Sequence, residues 1–356
     1  MVRRRSLLVR VAVCSIVLLA FGRSVAARAD TIPSKLSDKE FWTLVSTFSE
    51  PDGYFRSDNL LSNEIWMQDV IPELIRTAGK PDRVYMGVGP EQNFTYITAL
   101  KPSMVFIVDI RRGNLDLQLM YKALFELSSD RTDFVSRLLS KKRPEGMPSA
   151  NLTAVQIFAA LRDVEKSPEL FASNLRAIDD LLLKKHGFEL SDGDLMGIEY
   201  VYRAFYTFGA RLQYSSTTGS RGGASPTYAD LMTATDGEGQ ARSYLATEDS
   251  YRAMRDLERK NLVVPVVGNF GGPKALRAVG AYLKDRHATV SAFYLSNVEQ
   301  YLRQDELWET FCNNVATLPL DESSTFIRSV RGGGYSLGLS SVLGRMFAET
   351  RDCKAP

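Results

Sequence analysis

"VYMGVGPEQNFTYITALKPSMVFIVDIRRGN" runs from Val84 to Asn114, and its reading decides the fold. Val84 to Met86 is a short apolar strand, and Gly87-Val88-Gly89-Pro90 is a tight turn. Glu91 to Leu100 reads as a helix, with an acid in its first turn where the helix dipole favours negative charge. Met104 to Val108 is an unbroken apolar run between Pro102 and Asp109, the pattern of a strand covered on both faces of a parallel sheet. Gly113 to Leu127 is the next helix.

The same alternation returns far downstream. Leu262 to Val267 is a strand, "GNFGGP" (Gly268 to Pro273) a turn, and Lys274 to Leu283 a helix with Pro273 suited to its start. Thr289 to Leu295 is a strand, Leu302 to Val315 a helix, and Thr325 to Val330 a strand. Between the two blocks the pattern changes. "SPELFASNLRAIDDLLLKKHG" and "SDGDLMGIEYVYRAFYTFGARLQY" are helical, the second opening on Ser191 and Asp194 in capping-box spacing. Upstream, Lys35 to Phe48 and Ile65 to Thr77 have helical spacing, the latter ended by Gly79-Lys80-Pro81. The expected fold is α/β and Rossmann-like: a mainly parallel sheet with helices on both faces. Its core comprises residues 83–127 and 261–330. A helical segment over 30–82 precedes it, a mostly helical insertion over 128–260 lies across the sheet's carboxyl edge, and 331–356 form a tail.

In such sheets ligands sit at the carboxyl ends of the strands near the switch point. Gly87, Gly89, Asp109, Asn269 and Asn297 all fall at such ends. The glycines let a ligand approach the backbone, beside the free N–H groups of a helix start. Asp109, 20 residues after Gly89, is placed to accept from ribose hydroxyls, although a helix-capping role explains it as well. Glu91 would repel a pyrophosphate at the same helix start. S-adenosylmethionine has no phosphate and carries a positive sulfonium, so the charge pattern favours it over NAD or FAD.

On these residues the chain resembles the class I S-adenosylmethionine-dependent methyltransferases. "VYMGVGPEQ" resembles their first motif, "FIVDI" the second, "VVGNF" the third-strand region and "FYLSN" the fourth. The chain is also similar to a group of uncharacterised bacterial proteins of methyltransferase-like fold. The resemblance implies that Gly87 and Gly89 line the methionine portion of S-adenosylmethionine, with Glu91 beside them, Asp109 the ribose and Asn269 the adenine edge. Tyr85 stands where that family has an acid, Glu91 where it has a third glycine, and Ser296-Asn297-Val298-Glu299 where an Asn-Pro-Pro-Tyr-like signature is usual. Tyr294, Asn297 and Glu299 are the candidates to orient or deprotonate a methyl acceptor, with proximity supplying most of the catalysis. The alternative is an exported binding or scaffold protein that keeps the fold without catalysis.

Composition bounds the rest. Hydrophobic residues at 44% and charged residues at 24% suffice for a real core. The net charge of +2 hides six arginines in the first 29 residues; without them 38 basic residues face 42 acidic ones. A mature charge of about −4 leaves no basic stripe for nucleic acid. Arg3-Arg4-Arg5, an apolar run from Val11 to Phe21 and Ala27-Arg28-Ala29 form the layout of a secretory signal peptide, cleaved before Asp30. "RRSLL" (Arg4 to Leu8) loosely resembles a twin-arginine signal. The expected location is periplasmic or secreted, with no membrane span after cleavage and a small molecule as partner. Cys312 and Cys353 then remain, as one disulfide or as two thiols.

Other motifs lead nowhere specific. "GYSLG" (Gly334 to Gly338) fits G-x-S-x-G, but no histidine follows Ser336 to serve as base. His186, His287 and the cysteines lack metal-site spacing. Glu64, Asp69 and Glu299 are candidates for paired-carboxylate chemistry only by elimination. Tyr200, Tyr202, Phe205, Tyr206 and Phe208 read as core packing. "GYFRSDNLLSNE" (Gly53 to Glu64) mixes polar and aromatic residues, as either an ordered loop over a site or a turn with helix capping.

Overall fold

In the computed structural model, five apolar runs become parallel strands: β1 (Val84–Gly87), β2 (Met104–Asp109), β3 (Val263–Val267), β4 (Val290–Ser296) and β5 (Thr325–Arg331). A sixth, β6 (Leu339–Arg345), pairs antiparallel with β5. The order is β3-β2-β1-β4-β5-β6, a mixed, mostly parallel α/β sheet whose winding reverses between β1 and β4. Residues 31–148, 151–215, 225–331 and 339–354 are described, and those from Ile32 onward belong to one unit.

β1, β2 and β3 are buried at every residue, so their side chains meet apolar layers on both faces. On one face lie α1 (Asp38–Phe48) and α11 (Ala275–Asp285), where Phe48, Phe106 and Tyr282 form a ring cluster. On the other lie α3 (Gln92–Leu100), α4 (Arg112–Leu127) and α10 (Glu248–Arg259). Between α1 and β1 comes α2 (Ile71–Ala78). The reading of one helix from Ile65 is corrected here: Pro72 sits in the first turn, where its missing N–H is harmless, and the helix begins only at Ile71. Residues 65–70 instead form turns, and Trp66 bridges to Ser340 on the β6 edge. The single helix expected over Leu302 to Val315 is two, α12 (Val298–Gln304) and α13 (Trp308–Val315), parted at Glu306, whose φ is 60°.

The insertion is helical: α5 (Arg131–Leu138), α6 (Ala154–Arg162), α7 (Pro168–Asp179), α8 (Asp192–Phe208), α9 (Tyr228–Thr233) and α10. It packs chiefly on α4 and reaches the carboxyl edge of the sheet at Tyr214. α4 is consequently buried continuously from Asn114 to Phe125, polar residues included. One of them, Asp116, faces α8 where Gly197 has no side chain to obstruct it, and burial with the nearby Asp194 charge pushes its carboxyl up to about 8. Another, Lys122, pairs with Glu126 at 2.9 Å and donates to the Glu258 carbonyl at 2.5 Å. His186 joins them, its Nδ1 2.7 Å from Asp38 and its Nε2 3.1 Å from Glu126, which ties α1 to the insertion. Burial alone would raise Glu126, but the His186 hydrogen bond and the Lys122 charge outweigh it and hold the carboxyl at about 2.

The segment read as a C-terminal tail supplies β6 and α14 (Met346–Glu349), and Cys353 forms a disulfide with Cys312 of α13. The G-x-S-x-G match at Gly334 to Gly338 lies outside the described residues. No helix among the described residues is long and apolar enough to cross a membrane.

Candidate functional site

A cavity of about 670 Å³ opens along the carboxyl ends of β3, β2, β1 and β4, within the size range of small-molecule sites. Gly268 and Asn269 line it after β3, Asp109 and Arg111 after β2, Gly89 and Pro90 after β1, and Tyr294, Ser296 and Asn297 after β4. Its roof is the irregular segment from Ser49 to Asn63. That segment is an ordered strap, stitched to one strand end after another. Glu50 N–H donates to Val267 O (2.8 Å), Gly53 N–H to Ile110 O (2.9 Å) and Ser62 N–H to the Glu91 carboxylate (3.3 Å). The Arg112 N–H returns a bond to Asp52 (2.7 Å), and Leu60 N–H reaches Tyr214 O of the insertion (2.8 Å). Tyr54, Arg56, Asn59 and Ser62 of the strap, and Tyr214, face the cavity.

The turn after β1 divides the glycines. Gly89 has φ +75°, a region hostile to side chains, and a Cβ there would point into open space at the cavity. Gly87 does not line the cavity. A Cβ on it would collide with Asn93 Oδ1, so this glycine makes room for Asn93 rather than for a ligand. Asn93 is buried and holds the turn: Nδ2 donates to Val88 O (2.9 Å) and Pro90 O (2.7 Å), and Oδ1 accepts from Tyr85 OH (2.9 Å). Tyr85, in place of an acid, is therefore part of the turn's scaffold.

Glu91 departs furthest from its sequence reading. It is fully buried beneath the turn and absent from the cavity wall. Burial pushes its carboxyl up to about 8, so at neutral pH it is protonated and offers a ligand no charged rim. The electrostatic argument against a pyrophosphate therefore loses its footing at this residue.

Asp109 and Asn269 do line the cavity, each with local duties. The Asp109 carboxylate accepts from the Arg111 N–H (2.9 Å) and Nη2 (3.3 Å), with Nε 3.2 Å away. The ion pair leaves Asp109 only part of its accepting capacity for a ribose. Asn269 Oδ1 accepts from Gly271 N–H (2.9 Å). The glycine-rich turn it opens is filled by Glu50, whose carboxylate accepts from the N–H groups of Asn269 (3.1 Å), Lys274 (2.8 Å) and Ala275 (2.9 Å). That carboxylate takes the place an anionic ligand would use at the start of α11.

At β4, Tyr294 and Asn297 line the cavity and Glu299 does not. Glu299 instead pairs with Arg328 of β5 through bonds of 2.7 and 3.0 Å. Tyr294 donates to Glu64 Oε1 at 2.6 Å; burial, reinforced by the Glu64 charge, raises its phenol well above the ordinary value and keeps it protonated. Ser296 Oγ donates to the same carboxylate oxygen at 2.9 Å. Ser296 has φ +50° and sits at a register shift between β4 and β5 that re-aims its side chain. Glu64, named earlier only by elimination, is thus the centre of the site's polar network, while Asp69 and Glu299 stand apart from the cavity. The cluster around it, "NLLSNE", left one signal in sequence: a polar group amid apolar residues directly before a turn. Glu50 gave none that separates it from ordinary surface charge. No group of three or more His, Cys, Asp or Glu among the described residues is placed to hold a metal ion.

A family model matches residues 60–347, most of the chain. The chain belongs to that family, described as Domain of unknown function (DUF7790). The matched span takes in all six strands, the insertion and the Glu64 end of the strap, and starts after Glu50. No curated protein matches the chain.

Proposed function

We propose that the protein is an exported, Rossmann-like small-molecule-binding protein of methyltransferase type, whose cavity takes S-adenosylmethionine or a related phosphate-free nucleoside for methyl transfer to a second small molecule. One observation carries the reading: a single cavity touches the carboxyl ends of four neighbouring parallel strands across the β1–β4 switch point, with Gly89, Asp109, Asn269 and Tyr294 all in its wall. Gly89 gives the close backbone approach, Asp109 the acceptor for ribose, and the aromatic strap an apolar roof. Tyr294 and Asn297 line the end where an acceptor would lie. Export is supported by the signal-like N-terminus together with the Cys312–Cys353 disulfide, a bond that persists in oxidising compartments.

The Asp109–Arg111 ion pair favours a second reading, an exported binding protein without catalysis, because the ribose acceptor is already partly engaged. Calorimetric titration of S-adenosylmethionine and S-adenosylhomocysteine into wild type and Asp109→Ala separates the outcomes. Micromolar binding that weakens at least ten-fold in Asp109→Ala upholds the first reading. Absence of heat with both ligands, from protein with a native near-ultraviolet spectrum, rejects it.

A further inference from the structure

The floor of the cavity at β4 is polarised in one direction. Glu64 is 1% exposed, and its carboxylate accepts from Tyr294 OH (2.6 Å), Ser296 Oγ (2.9 Å), Gln92 Nε2 (3.0 Å) and Ser341 Oγ (3.0 Å). An ionised carboxylate can only accept, and a hydroxyl has a single proton. Ser296 therefore turns its proton inward to Glu64, and Tyr294 turns its own inward as well, to Glu64 or to Gln92 Oε1 at 3.0 Å. Ser62 is committed in the same sense: its hydroxyl donates to Gln92 Oε1 and accepts from the Glu64 N–H at 3.1 Å. All three residues line the cavity, and with their protons turned inward their hydroxyls have only lone pairs to offer a ligand there, with the Glu64 carboxylate behind two of them.

We propose that this end of the cavity selects a hydrogen-bond donor, an amine in its ammonium form above all and an alcohol next, and that Glu64 sets the selectivity without touching the ligand. A carboxylate or carbonyl oxygen brought to the same place would face oxygens with no proton to give, and a buried polar group left unpaired is penalised. The ligand class for the β4 end is therefore a small amine or alcohol. Glu64 is a positioning residue: it fixes which way the hydroxyls point. The inference rests on the reading above only in taking the cavity as a ligand site.

The test is a ligand-observed NMR titration of the full chain with benzylamine, benzyl alcohol and benzoate, repeated on Glu64→Gln. A glutamine amide can donate as well as accept, which frees the hydroxyls to turn outward. Arg56, which donates to Tyr301 OH just after β4 (3.1 Å), and Arg111 also line the wall and can hold benzoate, so the change between variants is decisive rather than the wild-type ranking. The expected result is a loss of at least ten-fold in benzylamine affinity, a smaller loss for benzyl alcohol, and benzoate binding that holds or strengthens. Equal losses for amine and acid, unchanged amine binding, or no amine binding to wild type would each overturn the proposal. If Glu64→Gln does not fold, Ser296→Ala removes one acceptor from a half-buried position and must show the same selective loss for the amine. S-adenosylhomocysteine is titrated alongside. Amine selectivity without nucleoside binding keeps this inference and discards the methyl-transfer reading, and nucleoside binding without amine selectivity does the reverse.

Discussion

Glu91→Gln probes the turn after β1 at its least expected residue. Glu91 is buried with one carboxylate oxygen accepting only the 3.3 Å bond from Ser62 N–H and the other lacking any hydrogen-bond partner among the described residues. Its pKa rises from the ordinary 4.5 to about 8, through burial. The folded state thus keeps a proton that the unfolded chain releases. Stability from this group is greatest below about pH 4.5, is lost as pH climbs to about 8, and is flat above that. At about 1.4 kcal/mol per factor of ten in proton affinity, the full swing is on the order of 5 kcal/mol. Glutamine has nearly the same shape and does not titrate. Urea unfolding of wild type and variant at pH 5, 7 and 9 should give free energies that converge at pH 5. The variant should be the more stable by a few kcal/mol at pH 9, with unchanged m-values. The variant retains the declines from Asp116 and Glu258, both also raised to about 8 by burial, so the substitution makes the pH slope shallower rather than abolishing it. A constant difference between the two proteins across the three pH values would refute the claim that Glu91 is neutral in the folded protein.

Reducing the Cys312–Cys353 disulfide, which closes a loop of 41 residues, should lower stability by about 3–4 kcal/mol, seen as a fall in melting temperature with dithiothreitol. Lys122→Met should destabilise by about 3–5 kcal/mol at pH 7, because Glu126 loses its 2.9 Å partner inside the α4 layer. The measurement is the urea midpoint, and a loss under 1 kcal/mol would contradict the burial of that pair. Asn93→Ala should cost about 2–3 kcal/mol by stranding the Val88 and Pro90 carbonyls and the Tyr85 hydroxyl, and should reduce nucleoside affinity by loosening the turn beside Gly89.

The parallel strands were legible because β1 to β4 are covered on both faces and so leave near-continuous apolar runs. Even Pro265 fits, since β3 is an edge strand that pairs on one side only. β6 escaped because an antiparallel edge strand needs no such run: "LSSVLGR" buries only Ser341. At the site, sequence position fixed which residues stand at strand ends, and Gly89, Asp109, Asn269, Tyr294 and Asn297 do share one cavity. It could not fix where side chains turn. Glu91 and Gly87 occupy the turn yet serve its interior, and Glu299 answers to Arg328, a neighbour created only by the pairing of β4 with β5. Glu64 lies 230 residues from Tyr294 along the chain, a separation across which no periodicity carries information.

The most direct test of the central claim is a crystal structure of the protein soaked with S-adenosylhomocysteine. The account predicts density in the cavity, the ribose against Asp109 and the base beside Asn269, beneath a strap still bonded to Val267 and Ile110. An unoccupied cavity at saturating ligand, or a nucleoside bound on another face of the molecule, would contradict it.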